Sequence, residues 1–230
     1  MALYAIGDLH LSFGADKPMD VFGGKWENYI EKLTNGFSVL GDDDVCVLCG
    51  DLTWGMSIES CVEDFRYINA LPGRKIVLKG NHDFWWSTAT KATRFFADNG
   101  FDTIDILFNN CFFYGETAIC GTRGWFYEPN VHTEHDKKIM EREVHRLEAS
   151  LASAGDAPEK LCFFHYPPRY GSFISNEMIN VMYKYGVNSC WYGHIHGKGQ
   201  KIAVNGNVGG INYSMISADY VDFKPVLIKK

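Results

Sequence analysis

The sequence predicts a single α/β domain that spans residues 1–230. Two observations support this fold class. Short apolar stretches alternate along the chain with segments of helical periodicity, as strands and helices do in α/β proteins. In addition, 46% of the residues are hydrophobic, with six Trp, twelve Tyr and sixteen Phe. That composition is sufficient for one large core that holds a rigid polar site.

The first half of the chain alternates predicted strands and helices. Each predicted strand is a short apolar run that ends within two residues of a glycine: residues 2–6, 45–49 and 75–78. Each predicted helix has apolar residues at helical spacing: residues 26–40, 58–71 and 84–98. The second helix stops at Pro72-Gly73, and the third is followed by Asn99-Gly100.

The second half is predicted to begin with a β-hairpin. Residues 111–114 and 117–120 flank Gly115-Glu116, a turn sequence between two apolar runs. The longest helix follows at residues 133–153, where Thr133 and Asp136 have the spacing of a capping-box-like start. Further elements are predicted from their apolar patterns: a helix at residues 176–185 and strands at 161–164, 189–192, 201–204, 214–217 and 226–229. We expect the last three strands to be antiparallel at an edge, and residues 14–24 and 123–132 to be long loops.

Five short polar motifs lie at the ends of predicted strands. They are Asp8-Leu9-His10, Gly50-Asp51, Gly80-Asn81-His82-Asp83, His165 and Gly193-His194-Ile195-His196, and they include five of the eight histidines. Ligands of α/β sheets collect beyond the carboxyl ends of the strands, so these side chains are expected to meet in one crevice. The preceding glycines permit sharp turns and close backbone approach. The set therefore indicates a site for two metal ions.

The spacing within the motifs suggests how the two metals are shared. Asp51 stands alone after its glycine and is the natural bridging carboxylate. Asp8 and His10 lie two residues apart, as do His194 and His196, so each pair on an extended segment presents both side chains on one face. A mixture of imidazole and carboxylate ligands suits Zn, Fe, Mn or Ni better than Mg or Ca, which prefer oxygen ligands.

The ordered motifs, from Asp8 to His196, resemble those of the calcineurin-like metallophosphoesterase superfamily. The resemblance implies a two-sheet β-sandwich flanked by helices, in four layers (α/β/β/α), with a dimetal site at one sheet edge. It implies that one metal is held by Asp8, His10, Asp51 and His196, and the second by Asp51, Asn81, His165 and His194. It also implies that His82 is the general acid and that Asp83 orients it. Asp83 is also suited to be the N-cap of the helix predicted after it, and the two roles are compatible.

The chemistry of such a site agrees with those roles. Two metals about 3.5–4 Å apart act as Lewis acids on phosphoryl oxygens and convert a bridging water to hydroxide. The leaving alkoxide then needs a proton, which an imidazole such as that of His82 supplies. The sequence therefore predicts a metal-dependent phosphoric ester hydrolase that acts on a small phosphomonoester or phosphodiester. The alternative from another class is a metal-binding scaffold of the same fold without turnover.

Differences from the motifs of known subgroups of this superfamily narrow the range of substrate classes. Protein serine/threonine phosphatases follow Gly-Asp with a run that contains Arg, whereas here Gly50-Asp51 is followed by Leu-Thr-Trp-Gly. The start Asp8-Leu9-His10-Leu11-Ser12 looks like that of bacterial UDP-diacylglucosamine pyrophosphatases, which carry Arg in place of His82. Both a protein phosphatase and a nucleotide pyrophosphatase thus become secondary alternatives. Residues 121–125 resemble a subgroup of predicted bacterial phosphohydrolases.

Two side chains near the motifs are candidates for substrate binding. Arg123 would pair with phosphate oxygens through its guanidinium group, and a turn arginine bonded to nearby carbonyls is the alternative interpretation. Trp54 would stack on a ring of the substrate, although core packing is the commoner role of tryptophan.

The net charge and the cysteine content limit which partners and which cellular compartment are expected. The formal net charge is −6, and the basic runs are only the pairs Lys137-Lys138 and Lys229-Lys230, so a nucleic-acid partner is disfavoured. Seven scattered cysteines are typical of a reduced intracellular protein. The sequence shows neither a signal peptide nor an apolar run of about 20 residues. We therefore expect a cytoplasmic protein without a membrane partner.

Overall fold

The computed structural model of the protein describes residues 1–127 and 133–230. The helices in these ranges are α1 (Tyr29–Phe37), α2 (Val62–Ala70), α3 (Ala89–Asp98), α4 (Glu134–Ser153) and α5 (Asn176–Lys184). The strands are β1 (Leu3–Ile6), β2 (Val45–Cys49), β3 (Arg74–Leu78), β4 (Ile104–Ile106), β5 (Phe112–Tyr114), β6 (Thr117–Thr122), β7 (Glu159–Phe164), β8 (Arg169–Tyr170), β9 (Phe173–Ile174), β10 (Ser189–Tyr192), β11 (Gly206–Val208), β12 (Ile211–Met215) and β13 (Val226–Lys229). Part of the loop predicted at residues 123–132 lies outside the described ranges.

Two main sheets form the centre of the fold. The first has the order β13-β1-β2-β3-β4, and the second has the order β11-β12-β10-β7-β6-β5. In both sheets the inner strands are parallel, whereas β13, β11 and β5 pair antiparallel at edges. The predicted two-sheet sandwich flanked by helices is confirmed.

Three apolar clusters hold the layers together. Successive residues of a strand point to opposite faces of its sheet, so Leu3 packs between the sheets with Val47 and Phe163, whereas Ile6 faces the helices. The outer face of the first sheet packs on α1, α2 and α3 through buried residues that include Leu33, Phe65 and Phe96. The outer face of the second sheet packs on α4 and α5 through residues that include Leu147 and Met182. This arrangement gives the four predicted layers.

Several predicted elements differ from those observed. The helix expected at residues 84–98 begins only at Ala89, where the Thr88 side chain accepts a hydrogen bond from the Lys91 N–H as N-cap. The predicted strand at residues 201–204 is wrong, since Gly197–Ile202 is a 3₁₀ helix. The prediction that all closing strands are antiparallel is also wrong, because β12 is parallel to β10. The capping box at the start of α4, from Thr133 and Asp136, is present as predicted.

Helices long and apolar enough to cross a bilayer are not found among the described residues.

Candidate metal centre

The carboxyl ends of five parallel strands deliver the polar motifs to one edge of the sandwich. Asp8, Asp51, Asn81, His165 and His194 follow β1, β2, β3, β7 and β10, each within three residues of the strand end. The backbone there is not the extended segment that the spacing suggested. Asp8, His10, Asp51 and His194 have φ angles of 62°, 47°, 51° and 73°, in the left-handed region that residues other than glycine seldom adopt. Such strain is characteristic of functional sites.

The first group of potential ligands contains Asp8, His10 and His196. One ligand atom from each of these residues lies within 4.8 Å of the others. The Nε2 atoms of His10 and His196 are 3.4 Å apart, and Nε2 of His196 is 3.7 Å from Oδ1 of Asp8. These are the terminal ligands expected for one metal.

The second group contains Asp51, His165 and His194, again with ligand atoms within 4.8 Å of one another. Asn81 joins it, because its Oδ1 is 2.6 Å from Nε2 of His165. Oδ2 of Asp51 lies 3.5 Å from Nε2 of His165 and 3.7 Å from Nε2 of His10. One carboxylate oxygen of Asp51 thus lies between the two groups, the position that a bridging ligand requires.

The electrostatics of both groups fit a pair of cations. Asp8 and Asp51 are buried, and burial raises the pKa of their carboxyl groups to about 7 and about 6. Burial likewise lowers the pKa of His165 to about 3 and that of His194 to about 2, which leaves neutral rings with a free lone pair. Burial thus disfavours the carboxylate anions unless a cation lies beside them, and it keeps the rings of His165 and His194 in the neutral form that binds metals. Nδ1 of His10 is buried without a hydrogen-bond partner among the described residues.

Two histidines are oriented by groups behind them. Nδ1 of His165 is 3.0 Å from the carbonyl oxygen of Cys49, and Nδ1 of His196 is 2.8 Å from Oδ1 of Asp219. A partner on the outer nitrogen fixes the tautomer that directs the inner nitrogen towards a metal. The sequence motifs missed Asp219. It follows the predicted strand at residues 214–217 by two positions, so the same strand-end spacing would have identified it.

Asp83 has a different role from the predicted one. Its buried carboxylate accepts hydrogen bonds from the backbone N–H groups of Asp51 (2.9 Å), Leu52 (2.9 Å) and Gly80 (2.7 Å), and from Nε1 of Trp85 (2.9 Å). These contacts take the place of the expected bond to the His82 ring, and Thr88 takes the expected place of Asp83 as helix cap. Asp83 therefore holds together the two turns that carry Asp51 and Asn81.

His82 lies beside the two groups at the wall of a cleft. Its backbone N–H donates to Oδ1 of Asp51 at 2.7 Å, and its ring centroid is 4.4 Å from that of Trp54 and 5.8 Å from that of His10. Nδ1 of His82 is buried without a partner among the described residues, and burial lowers the pKa of the ring. The imidazole is thus positioned by its backbone and by ring contacts.

The two predicted substrate-binding residues lie in different places. Trp54 lines the cleft of about 610 Å³ that His10, His82 and His196 also line. Arg123 is not among the residues that line this cleft, and its guanidinium group pairs with the buried Glu143 at 3.4 Å. The guanidinium group of Arg123 is directed to the carboxylate of Glu143. The structure thus supports neither of the two interpretations of Arg123, as a phosphate clamp or as a turn arginine bonded to nearby carbonyls.

Comparison with known families matches residues 1–198 to the family described as calcineurin-like phosphoesterase. The chain belongs to the calcineurin-like phosphoesterase family. The resemblance inferred from the five motifs is thereby confirmed. A search of curated proteins finds no match for this calcineurin-like phosphoesterase.

Solved structures share the fold of this calcineurin-like phosphoesterase at low sequence identity. The phosphopantetheinyl hydrolase PptH from Mycobacterium tuberculosis is 10% identical with a TM-score of 0.61, over 99% of this chain and 95% of that chain. TT1561 of Thermus thermophilus is 14% identical with a TM-score of 0.57, over 99% and 97%. The protein of unknown function AQ665 from Aquifex aeolicus is 20% identical with a TM-score of 0.51, over 98% and 95%. At these identities the likeness establishes the fold alone.

Proposed function

We propose that the protein is a dinuclear metal-dependent phosphoesterase that hydrolyses a small phosphomonoester or phosphodiester. The observation that carries the proposal is the position of Asp51. One of its oxygens lies within 3.7 Å of a histidine nitrogen from each ligand group. An adjacent cleft is lined by His10 and His196 of the first group. A carboxylate shared by two groups of histidines is the arrangement that a two-metal hydrolase needs.

The proposed ligand sets follow the two groups. One metal is assigned to Asp8, His10, Asp51 and His196, and the other to Asp51, Asn81, His165 and His194. Metals held by these residues would polarise the phosphoryl oxygens and supply a hydrolytic nucleophile from water. The nitrogen and oxygen donors favour Mn, Fe, Zn or Ni.

His82 is the proposed general acid. It follows the proposed ligand Asn81 directly, and it lines the cleft together with the proposed ligands His10 and His196. From there the imidazole is able to give a proton to the leaving alkoxide of the substrate. Burial lowers the pKa of His82, and a phosphate ester bound beside the ring opposes this effect by adding negative charge. Trp54 forms one apolar wall next to the reacting group.

The chain's cysteines support the proposed cytoplasmic location. All seven are free, and six of them are buried. Free buried thiols are typical of proteins from a reducing compartment.

Turnover of two chromogenic substrates tests the proposal. Bis-p-nitrophenyl phosphate and p-nitrophenyl phosphate are assayed with chelated protein reloaded with Mn, Fe, Zn or Ni. We expect metal-dependent release of p-nitrophenolate from at least one ester, and the preferred ester identifies a diesterase or a monoesterase. If protein that carries two metals per chain turns over neither ester nor a wider panel of phosphoesters, the scaffold alternative replaces the enzyme.

A further inference from the structure

The cleft beside the first ligand group is mainly apolar. Its volume of about 610 Å³ lies in the range of about 300–1,000 Å³ that is usual for small-molecule sites, and a phosphate group alone would fill only part of it. Histidines of the proposed centre lie at one side: His10, His82 and His196. Four of the other side chains that line it are large and hydrophobic: Met19, Phe22, Trp26 and Trp54. The polar side chains among the rest are Lys25, Gln200 and Asp219.

Two tryptophans form fixed walls. The Trp54 ring is stacked on His10 with centroids 4.9 Å apart and an interplanar angle of 23°. Trp26 is 7% exposed and packs edge-on against Phe223 at 5.1 Å and His196 at 5.7 Å. Since neighbouring rings already hold both indoles, the apolar walls exist before a ligand enters.

The rim of the cleft exposes further hydrophobic groups. Phe22 lines the cleft and is 72% exposed, and its neighbour Val21 is 74% exposed. Phe84 is 50% exposed, and its ring centroid is 5.9 Å from that of His82. These exposed side chains extend the apolar surface around the cleft.

The cationic side chains at this site are already engaged. Nζ of Lys25, which lines the cleft, donates to the carbonyl oxygen of Asp219 at 2.7 Å and contacts Oδ1 of Asp222 at 3.3 Å. Nζ of Lys17 lies over the Trp54 ring, 4.9 Å from its centroid. The cleft is therefore better suited to an uncharged apolar group than to a second phosphate.

We propose that the cleft binds an apolar ester group of the substrate, so that the substrate is a phosphoester of an aliphatic or aromatic alcohol. This inference rests on the proposed function, because it places the phosphate of the same molecule at the two ligand groups. Phe22 contacts the distal part of the apolar group, and the fixed walls contact the part next to the phosphate.

Inhibition by alkylphosphonates of increasing length tests the inference. Methyl-, butyl- and hexylphosphonate share one head group that is not hydrolysed, and each is titrated against turnover of whichever p-nitrophenyl ester the metal-loaded enzyme accepts. We expect the inhibition constant to fall about fourfold for each added methylene group that is buried. Phenylphosphonate has as many carbons as the hexyl compound, so this pair separates an aromatic from an aliphatic occupant.

Two variants connect the effect to the cleft. Phe22→Ser is expected to reduce the dependence on chain length, with a loss of about tenfold for hexylphosphonate relative to methylphosphonate. Phe113→Ser is the matched control, because Phe113 is 54% exposed on β5 and does not line the cleft. Equal inhibition by methyl- and hexylphosphonate, or an unchanged chain-length dependence in Phe22→Ser, would overturn the inference.

The same ligands also separate failure of this inference from failure of the proposed function. If the metal-loaded protein hydrolyses no ester, calorimetric titration with the phosphonates still measures the chain-length dependence. If the protein hydrolyses an ester but shows no chain-length dependence, the proposal of an apolar substrate group is refuted and the proposed phosphoesterase activity stands. If the chain-length dependence is found without hydrolysis, the cleft binds an apolar group next to a phosphonate, and the proposed enzymatic activity is refuted.

Discussion

Replacement of Asp83 by asparagine should destabilise the protein strongly. The two oxygens of the carboxylate accept four close hydrogen bonds, of 2.7–2.9 Å, three of them from backbone N–H groups. An asparagine amide retains one acceptor oxygen, and its NH₂ group then faces two N–H donors. A hydrogen bond to a charged group contributes about 1.5–3 kcal/mol, so the loss of two amounts to about 3–6 kcal/mol.

Thermal unfolding measures this loss. For a domain of this size, 1 kcal/mol corresponds to about 2–4 °C in melting temperature. A cost near 4 kcal/mol therefore lowers the melting temperature by about 8–16 °C. The comparison is made by calorimetry on metal-loaded protein and on chelated protein, because a change seen only with metal would reflect ligand binding. Asp102→Asn serves as the control, since Asp102 is exposed.

The outcome also distinguishes the two roles considered for Asp83. If the carboxylate mainly oriented His82, Asp83→Asn would change turnover and leave the melting temperature nearly unaltered. A melting temperature within about 2 °C of the wild type in both metal states, with full metal content, would refute the structural role. Loss of metal together with stability would show that the turn of Asp51 depends on this carboxylate.

Three further variants test other parts of the structure. His82→Ala should retain two metals by elemental analysis. Its turnover of alkyl esters should fall about 10²–10⁴-fold, with a far smaller loss for p-nitrophenyl esters, which have a good leaving group. Equal losses on both classes of ester would exclude His82 as the general acid. Asp219→Asn should weaken binding of one metal about 10–100-fold, because His196 loses its orienting carboxylate, and unchanged affinity in calorimetric titration would contradict this. Burial lowers the pKa of Lys75 from 10.5 to about 8, so the folded state binds fewer protons than the unfolded state between these values. The free energy of unfolding of the wild type, relative to that of Lys75→Met, should accordingly rise from pH 8 to pH 10.5 in urea titrations, and a flat difference would refute the shift.

The elements predicted best are those whose pattern has one physical explanation. Residues 45–49 are apolar throughout and form β2 with those bounds, because an inner parallel strand is covered on both faces. The start of α3 was predicted too early, since Phe84, Trp85 and Trp86 continue the apolar pattern of the helix. Trp85 instead packs against Phe65 at 4.8 Å and donates to Asp83, so tertiary contacts override the helical spacing.

The positions of the site residues were predictable where the motif itself includes the glycine that forms the turn after the strand. The glycine and the polar residue after it place Asp51 at a strand end without reference to the rest of the chain. The contacts of Asp83 and Asp219 were not predictable in this way, because a carboxylate's partners depend on which backbone groups lie near it in three dimensions. Arg123 illustrates the same limit, since its partner Glu143 comes from α4, 20 residues away along the chain.

The strained backbone of the ligands explains why these supporting carboxylates are needed. Asp8, His10, Asp51 and His194 all adopt left-handed φ angles. Each such conformation costs about 1–3 kcal/mol and persists only where neighbouring groups fix it. The N–H of Asp51 is held by Asp83, and the N–H of His194 donates to the Asp8 carboxylate at 2.9 Å. The chain thus holds its proposed ligands in place through buried carboxylates, whose charge two bound cations would balance.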